Sequence, residues 1–312
     1  MKPILHHYPP SLFSEKVRAL LGYLGQAWQS VIIPPIMPRP DLMPLSGGYR
    51  KTPIMQIGAD IYCDTEIICR TLARQADNTS LYQAGFVAER FARWADTELF
   101  RITVALNFRP QALAVQMQQM SEADQQAFAK DRAELSGSDQ IVSLDPATAE
   151  VHFRALLKQL ENSLSKDFLF GDDPSIADFS LYHCLWFVAG NTANTHLFAD
   201  QPRVRAYMAR LQAFGHGEYN DLSSSAALSI GADTTPLAAA EFTVDASLAG
   251  DLNAGDAVDV TPDDYGRFAV SGTLLGWQAD EIVIQRTDPK AGEINVHFPN
   301  FGFGVTTAAE PN

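Results

Sequence analysis

The run Lys51-Thr52-Pro53-Ile54-Met55-Gln56-Ile57-Gly58 leads directly into Ala59-Asp60-Ile61-Tyr62-Cys63-Asp64-Thr65. As local structure this reads as a strand entered through a proline, a tight turn at Gly58, a second short strand, and a helix opened by a carboxylate and a hydroxyl. An X-Pro bond favours trans by only about 0.5–1 kcal/mol, so a cis bond is accessible at Thr52-Pro53. A cis bond turns the backbone of Thr52 outward, where its N–H and C=O can pair with an extended peptide. The helix beginning near Asp64 aims its unpaired N–H groups at the same spot, which makes an anion site. A dock for a peptide backbone then lies beside a dock for a carboxylate, the combination that the tripeptide thiol glutathione requires. An ordinary hairpin ending in a capped helix fits the same residues, and this stretch alone does not decide between them.

The elements upstream must hold that segment in place. Residues 4–8 form a short strand pattern ended by Pro9-Pro10. Phe13, Val17, Leu20, Leu21 and Leu24 then recur at helical spacing, with Gly25 where a C-cap belongs. Residues 28–33 form a second strand pattern rich in β-branched residues. The order strand, helix, strand, irregular segment, strand, strand, helix is that of a thioredoxin-like fold. Five prolines, at 34, 35, 38, 40 and 44, forbid a regular helix in the irregular segment.

Residues 11–18, Thr52-Pro53, Asp64-Thr65 and the later run Ser175-Ile176-Ala177-Asp178-Phe179-Ser180 resemble the cytosolic glutathione S-transferases, in the right order over about residues 1–215. The resemblance implies a multidomain fold: a thioredoxin-like α/β domain at 1–76 and an all-helical bundle at 81–217. It implies glutathione as co-substrate, bound as its thiolate and added to a small hydrophobic electrophile, with no metal. Ser11 matches the catalytic serine or cysteine of several classes, where a hydroxyl donates to the thiolate. Thr52 would pair with the cysteinyl unit, Pro53 would hold that geometry, and Asp64 and Thr65 would take the γ-glutamyl end. Lys51, ahead of Arg39 and Arg50, would steady the glycine carboxylate, or each is a solvated surface charge. A homodimer through the helix at 64–74 and the long helix after Ala84 is implied as well.

The thiol activator stays open between several groups. Ser11 is equally an N-cap, which uses its oxygen as an acceptor. Ser14 is either the cap or the thiolate partner, Tyr8 is a third choice, and His7 lies near the position where other classes place a tyrosine. His6 and His7 are candidates to titrate near neutrality, with strand alternation putting one of them in the core. Serines at 11 and 14 stand where a glutaredoxin-like protein carries its redox cysteines, which argues against mixed-disulfide chemistry. Tyr8, Leu12, Phe100, Val104 and Phe108 are plausible lining for the electrophile. Other glutathione-dependent enzymes on this scaffold (isomerase, dehalogenase, ether lyase) and a non-catalytic glutathione-binding or assembly module are the alternatives.

The remaining sequence organises the rest of the molecule. At 312 residues the chain suits two or three domains. Residues 77–80 read as a linker. A long helical pattern runs from Ala84 to about Asn107, and further helices are expected near 111–118, 121–135, 146–165 and 202–214. Ser175 with Asp178 is a capping box, which makes Asp178 structural. From 218 to 312 the character changes. Residues 223–227 and 231–240 read as linker, followed by strands near 241–244, 257–261, 267–275, 281–285 and 293–298. They suggest a small all-β unit, barrel-like or strongly bent, with His297, Phe298, Phe301 and Phe303 either reaching a neighbouring site or lying in a core. This unit could serve assembly or regulation, cover the site as a lid, or add stability.

Charge and cysteine content narrow the partners. The formal net charge is −14, and residues 223–312 hold thirteen acidic against three basic side chains. Such a balance argues against nucleic acid. No apolar run is long enough to span a membrane. Cys63, Cys69 and Cys184 have no metal or redox spacing, and free thiols without a secretory signal fit a reducing cytoplasm.

Overall fold

The computed structural model describes residues 1–118, 120–137 and 144–308. Strands β1 (Ile4–His7), β2 (Trp28–Ile32), β3 (Ile54–Ile57) and β4 (Asp60–Cys63) carry helices α1 (Leu12–Leu24), α2 (Leu42–Ser46) and α3 (Thr65–Gln75). β1 runs parallel to β2 and antiparallel to β3, and β3 pairs antiparallel with β4 across the turn at Gly58. Gly58 has φ 63°, a conformation that a side chain disfavours. The short α2 forms in spite of Pro44, which lies in its first turn, where a missing N–H costs nothing.

The helical domain comprises α4 (Gly85–Trp94), α5 (Phe100–Asn107), α6 (Pro110–Met117), α7 (Glu122–Ser136), α8 (Pro146–Ser163), α9 (Ile176–Ala189) and α10 (Pro202–Ala213). The expected long helix after Ala84 is broken by a π-helical segment, Ala95–Leu99, between α4 and α5. Pro110 opens α6 at its first turn. The capping box of α9 is formed: Asp178 accepts from the Ser175 backbone N–H at 2.8 Å and also from Leu169 N at 2.8 Å.

Beyond residue 218 the chain forms an arm that rejoins the first sheet. It contains β5 (Tyr219–Asp221), α11 (Ser224–Ala232), α12 (Ala246–Ala249), β6 (Ala257–Pro262), β7 (Val270–Trp277), β8 (Ile282–Asp288), β9 (Gly292–Phe298) and β10 (Phe303–Thr307). The strand order is β10-β6-β7-β8-β9-β4-β3-β1-β2-β5, one open sheet. The all-β region expected here is thus present as strands β6–β10, and its ladder continues into β4, parallel to β9, instead of closing on itself. A register shift between Leu274 and Gly276 interrupts the β7–β8 pairing. Residues 309–312 of the expected unit lie outside the described residues.

Two local readings change. Residues 223–227, read as linker, begin α11, with the Ser223 hydroxyl accepting from Ala226 N. Residues 241–244 form a 3₁₀ end and a single bridge from Val244 to Trp277 in place of a strand.

Two apolar cores sandwich the sheet. Leu5 and Met55 point into one with α1, α3 and the helical domain. Ile4, Ile54 and Ile61 point into the other, which continues through Ala227 into Val258, Ile284 and Val296 of the arm. This explains why alternation misleads at β1, where His6 and His7 are both buried. A central strand covered on both faces has no solvent side. Burial lowers the pKa of His6 to about 4 and that of His7 to about 3, so neither titrates near neutrality.

The arm also covers part of the face that the resemblance assigned to a partner subunit. Arg70 and Arg74 of α3 pair with Asp280 and Glu281, and Arg93 of α4 donates to the Phe301 carbonyl at 3.1 Å.

Candidate functional site

Lys51, Thr52, Pro53, Asp64 and Thr65 line one cleft, open to solvent. The Thr52-Pro53 bond is cis. Thr52 lies just outside the ladders that β3 makes with β1 and β4. Its hydroxyl accepts from Arg39 Nη1 at 3.0 Å. Arg39 also donates to the carbonyls of Pro34, Pro35 and Arg50, so this buried guanidinium holds the proline-rich loop against the cleft. Arg50 is likewise engaged, 2.7 Å from Asp131 of α7. Neither arginine is a free ligand for a carboxylate.

Asp64 is the N-cap of α3, with its carboxylate accepting from Glu66 N at 2.8 Å. Its φ of 94° lies in a region that side chains rarely adopt, and residues held this way cluster at functional sites. Burial raises the Asp64 carboxyl above its ordinary value, against the pull of the Glu66 N–H. Glu66 is pushed up to about 7 by burial and then by the neighbouring Asp64.

The N-terminus of α1 meets the cleft through Phe13. Ser11 caps α1 by accepting from Ser14 N at 3.2 Å and is buried outside the cleft lining. That bond uses its oxygen and leaves its proton free to donate. Ser14 is fully buried, and its hydroxyl has no partner among the described residues. Tyr8 packs against the arm-side core. Leu12, Phe100 and Val104 are buried, and none of the five residues expected to line an electrophile site borders the cleft. Phe100 reaches it indirectly, with its ring 5.0 Å from Phe13 and 6.0 Å from Tyr265.

A charged network that reaches the cleft wall at Asp96 was not visible in the sequence. Lys16 Nζ is 2.6 Å from Asp96 and donates to Thr65 Oγ1 at 3.2 Å. His183 Nε2 meets the other Asp96 oxygen at 2.9 Å. Burial alone would raise Asp96, but Lys16 and His183 outweigh it and hold the carboxyl below its usual range. Asp96 sits in the π-helical segment, which aims it into the bundle. In sequence Asp96 is one of several charges in this helical stretch, beside Glu89, Arg93, Glu98 and Arg101, and nothing marks it out.

The arm supplies the rest of the wall. Asp264 and Tyr265, in the loop between β6 and β7, line the cleft together with Phe301, Gly302 and Phe303. Lys51 is ion-paired with Asp264 and lies 4.3 Å from the centre of the Tyr265 ring. Residues 263–266 read in sequence only as a turn, because nothing local encodes a contact made about two hundred residues away. Phe298 is core. His297 is buried between Asp60 at 3.0 Å and Glu281 at 2.9 Å. Among the described residues no cluster of His, Cys, Asp and Glu is arranged to hold a metal ion, and no helix is long and apolar enough to cross a membrane.

Comparison with known proteins follows this architecture. Residues 5–80 match the family described as glutathione S-transferase, N-terminal domain, and residues 119–210 match glutathione S-transferase, C-terminal domain. No curated protein matches the chain. A glutathione S-transferase from Sinorhizobium meliloti 1021 shares the fold at 21% identity over 68% of this chain and 89% of that one, with a TM-score of 0.51. The crystal structure of a GST-like protein from Pseudomonas syringae is 39% identical, covering 99% of this chain and 100% of that one at a TM-score of 0.82. The likeness to that protein therefore runs through the arm as well as through the two matched domains, and the chain belongs to the glutathione S-transferase family.

Proposed function

We propose that the cleft binds glutathione as its thiolate and adds it to a hydrophobic electrophile. One observation carries this reading: Thr52-Pro53 and Asp64-Thr65, at the two ends of the β3–β4 hairpin, line the same cleft beside the N-terminus of α1. In this reading the extended peptide pairs with the Thr52 backbone held by Pro53. The γ-glutamyl amine meets Asp64, and its carboxylate meets Thr65 and the first N–H groups of α3. The glycine end lies toward Lys51.

The sulfur then attacks an electrophilic carbon, its S–H proton having passed to solvent. Any leaving group departs with the electron pair of the broken bond. A free thiol has a pKa of about 8.5, and a hydroxyl donor with a helix N-terminus lowers it. Ser11 is the proposed donor, because its capping bond leaves its proton available, with Ser14 and Tyr8 as the alternates. Phe13, Tyr265, Phe301 and Phe303 give the cleft an apolar wall suited to hydrophobic electrophiles.

One observation favours a second reading, a non-catalytic glutathione-binding module: Ser11 is buried outside the cleft lining. Thiolate absorbance of bound glutathione against pH separates the two. The enzyme reading expects an apparent thiol pKa below the free value in wild type and a higher one in Ser11→Ala. Binding with an unshifted thiol supports the binding module.

The proposal includes a cytoplasmic setting, supported by three buried free cysteines. It also includes a homodimer using the part of α4 that the arm leaves open, where Phe86 and Val87 are 75% and 61% exposed. Sedimentation equilibrium reads the latter directly, and a monomer at all concentrations removes it.

A further inference from the structure

The end of the cleft at Lys51 is already occupied by a carboxylate of the same chain. Asp264 pairs with Lys51, and Tyr265 covers the ammonium with its ring face. The loop that carries them is held at several points. Gly266 N donates to Leu135 O of α7 at 2.9 Å, and Asp263 N donates to Gly302 O at 2.9 Å. Arg50 lies 5.0 Å from the centre of the Phe268 ring. The fold itself therefore sets Asp264 against Lys51.

The other cation lining the cleft is committed too. Arg93 lies 3.8 Å from Glu66 and donates to the Phe301 carbonyl. Behind the wall, Lys16, Arg39 and Arg50 are bound to Asp96, to loop carbonyls and to Asp131. A free terminal carboxylate entering here must displace Asp264 from Lys51 or lie beside it, like charge against like charge. An amide at the same place donates its N–H to Asp264 and leaves the ion pair intact, and an amine carried on that amide adds a favourable charge.

We propose that Asp264 is a specificity-determining residue. It selects, at the glycine end, a γ-glutamyl-cysteinyl-glycine thiol whose terminal carboxylate is masked as an amide, including an amide to an amine-bearing group. This rests on the glutathione reading and names the ligand class of that site. Asp264 is 44% exposed, so water screens its effect and the discrimination is modest, about fivefold.

Calorimetric titration of the full chain with reduced glutathione and with its C-terminal amide, on wild type and on Asp264→Asn, tests this. Wild type is expected to bind the amide about fivefold more tightly, and Asp264→Asn to bind glutathione more tightly and lose the preference. Equal or tighter binding of the free acid by wild type overturns the inference and leaves the glutathione reading standing, as does an unchanged preference in Asp264→Asn. Binding of neither ligand overturns both. The wild-type comparison of two ligands requires no variant to fold.

Discussion

At the scale of single residues, Asp64 combines two demands that oppose each other in energy. Its carboxylate caps α3 and faces the cleft, while its φ of 94° disfavours any side chain. Such a conformation costs about 1–3 kcal/mol. Asp64→Gly is therefore expected to unfold at higher urea than Asp64→Ala, by about 1 kcal/mol, because glycine relieves the backbone where alanine does not. Both variants lose the carboxylate, and glutathione affinity is expected to fall about tenfold to a hundredfold in each. An alanine variant as stable as the glycine variant would show that the backbone carries no such strain. Ser11→Ala removes a capping acceptor and is expected to lower stability by about 1 kcal/mol in the same experiment. That Thr52, Pro53, Asp64 and Thr65 line one cleft was legible because proline chemistry and helix capping are local. Whether the Ser11 hydroxyl opens into the cleft was not legible, since that depends on how α1 is rolled about its axis.

At the scale of elements, the π-helical segment and the close approach of α1 to the turn after α10 set the geometry behind the cleft. Asp96 is the partner of Lys16, whose side chain is 1% exposed. Asp96→Asn leaves that ammonium buried without a counter-charge and is expected to cost about 3–5 kcal/mol in chemical denaturation. The Asp96 carboxyl titrates below its unfolded value. Its contribution is thus present above the unfolded pKa of about 3.9 and lost as pH falls through the lower folded one. Gly22 offers a second check. A Cβ there would lie 2.3 Å from the Gly215 carbonyl oxygen, so Gly22→Ala must push α1 from that turn. A loss of about 1–3 kcal/mol is expected, and an unchanged melting curve would show that the two segments are not in firm contact. Element types were readable from periodicity at α1 and from capping residues at α3 and α9. The π segment was not, because Phe86, Phe91, Trp94, Leu99 and Phe100 also fit one continuous helix. The helix α11 was missed because Ser- and Ala-rich composition marks a linker as readily as a small-residue helix packed on α2.

At the scale of the whole molecule, the arm is a lateral extension of the family sheet that shares a core with its arm-side face. Turn spacing and alternation revealed its strands, but not the β4–β9 pairing that joins it to the sheet, since parallel partners about 235 residues apart leave no local pattern. His297 locks that joint. Burial would lower its pKa, but the hydrogen bonds it donates to Asp60 and Glu281 outweigh burial and raise it. A raised folded pKa gives stability that is full below the unfolded value of about 6.5 and is lost as pH rises through the folded one. Wild type is therefore expected to lose more stability than His297→Gln between about pH 6 and pH 9. Hydrogen exchange in β4 and β9 should rise over the same range. Parallel stability curves for the two proteins would remove the charged His297 from the joint.

The arm, the helix N-terminus and the proline-entered strand meet at one cleft, and glutathione binding there is the central claim. Calorimetric titration of the wild-type chain with reduced glutathione, alongside Asp64→Ala, tests it most directly. Saturable binding tighter than about 1 mM, equivalent to about −4 kcal/mol, with clear loss in Asp64→Ala, is the predicted result. No heat of binding by wild type at millimolar ligand, or equal binding by both proteins, would contradict it.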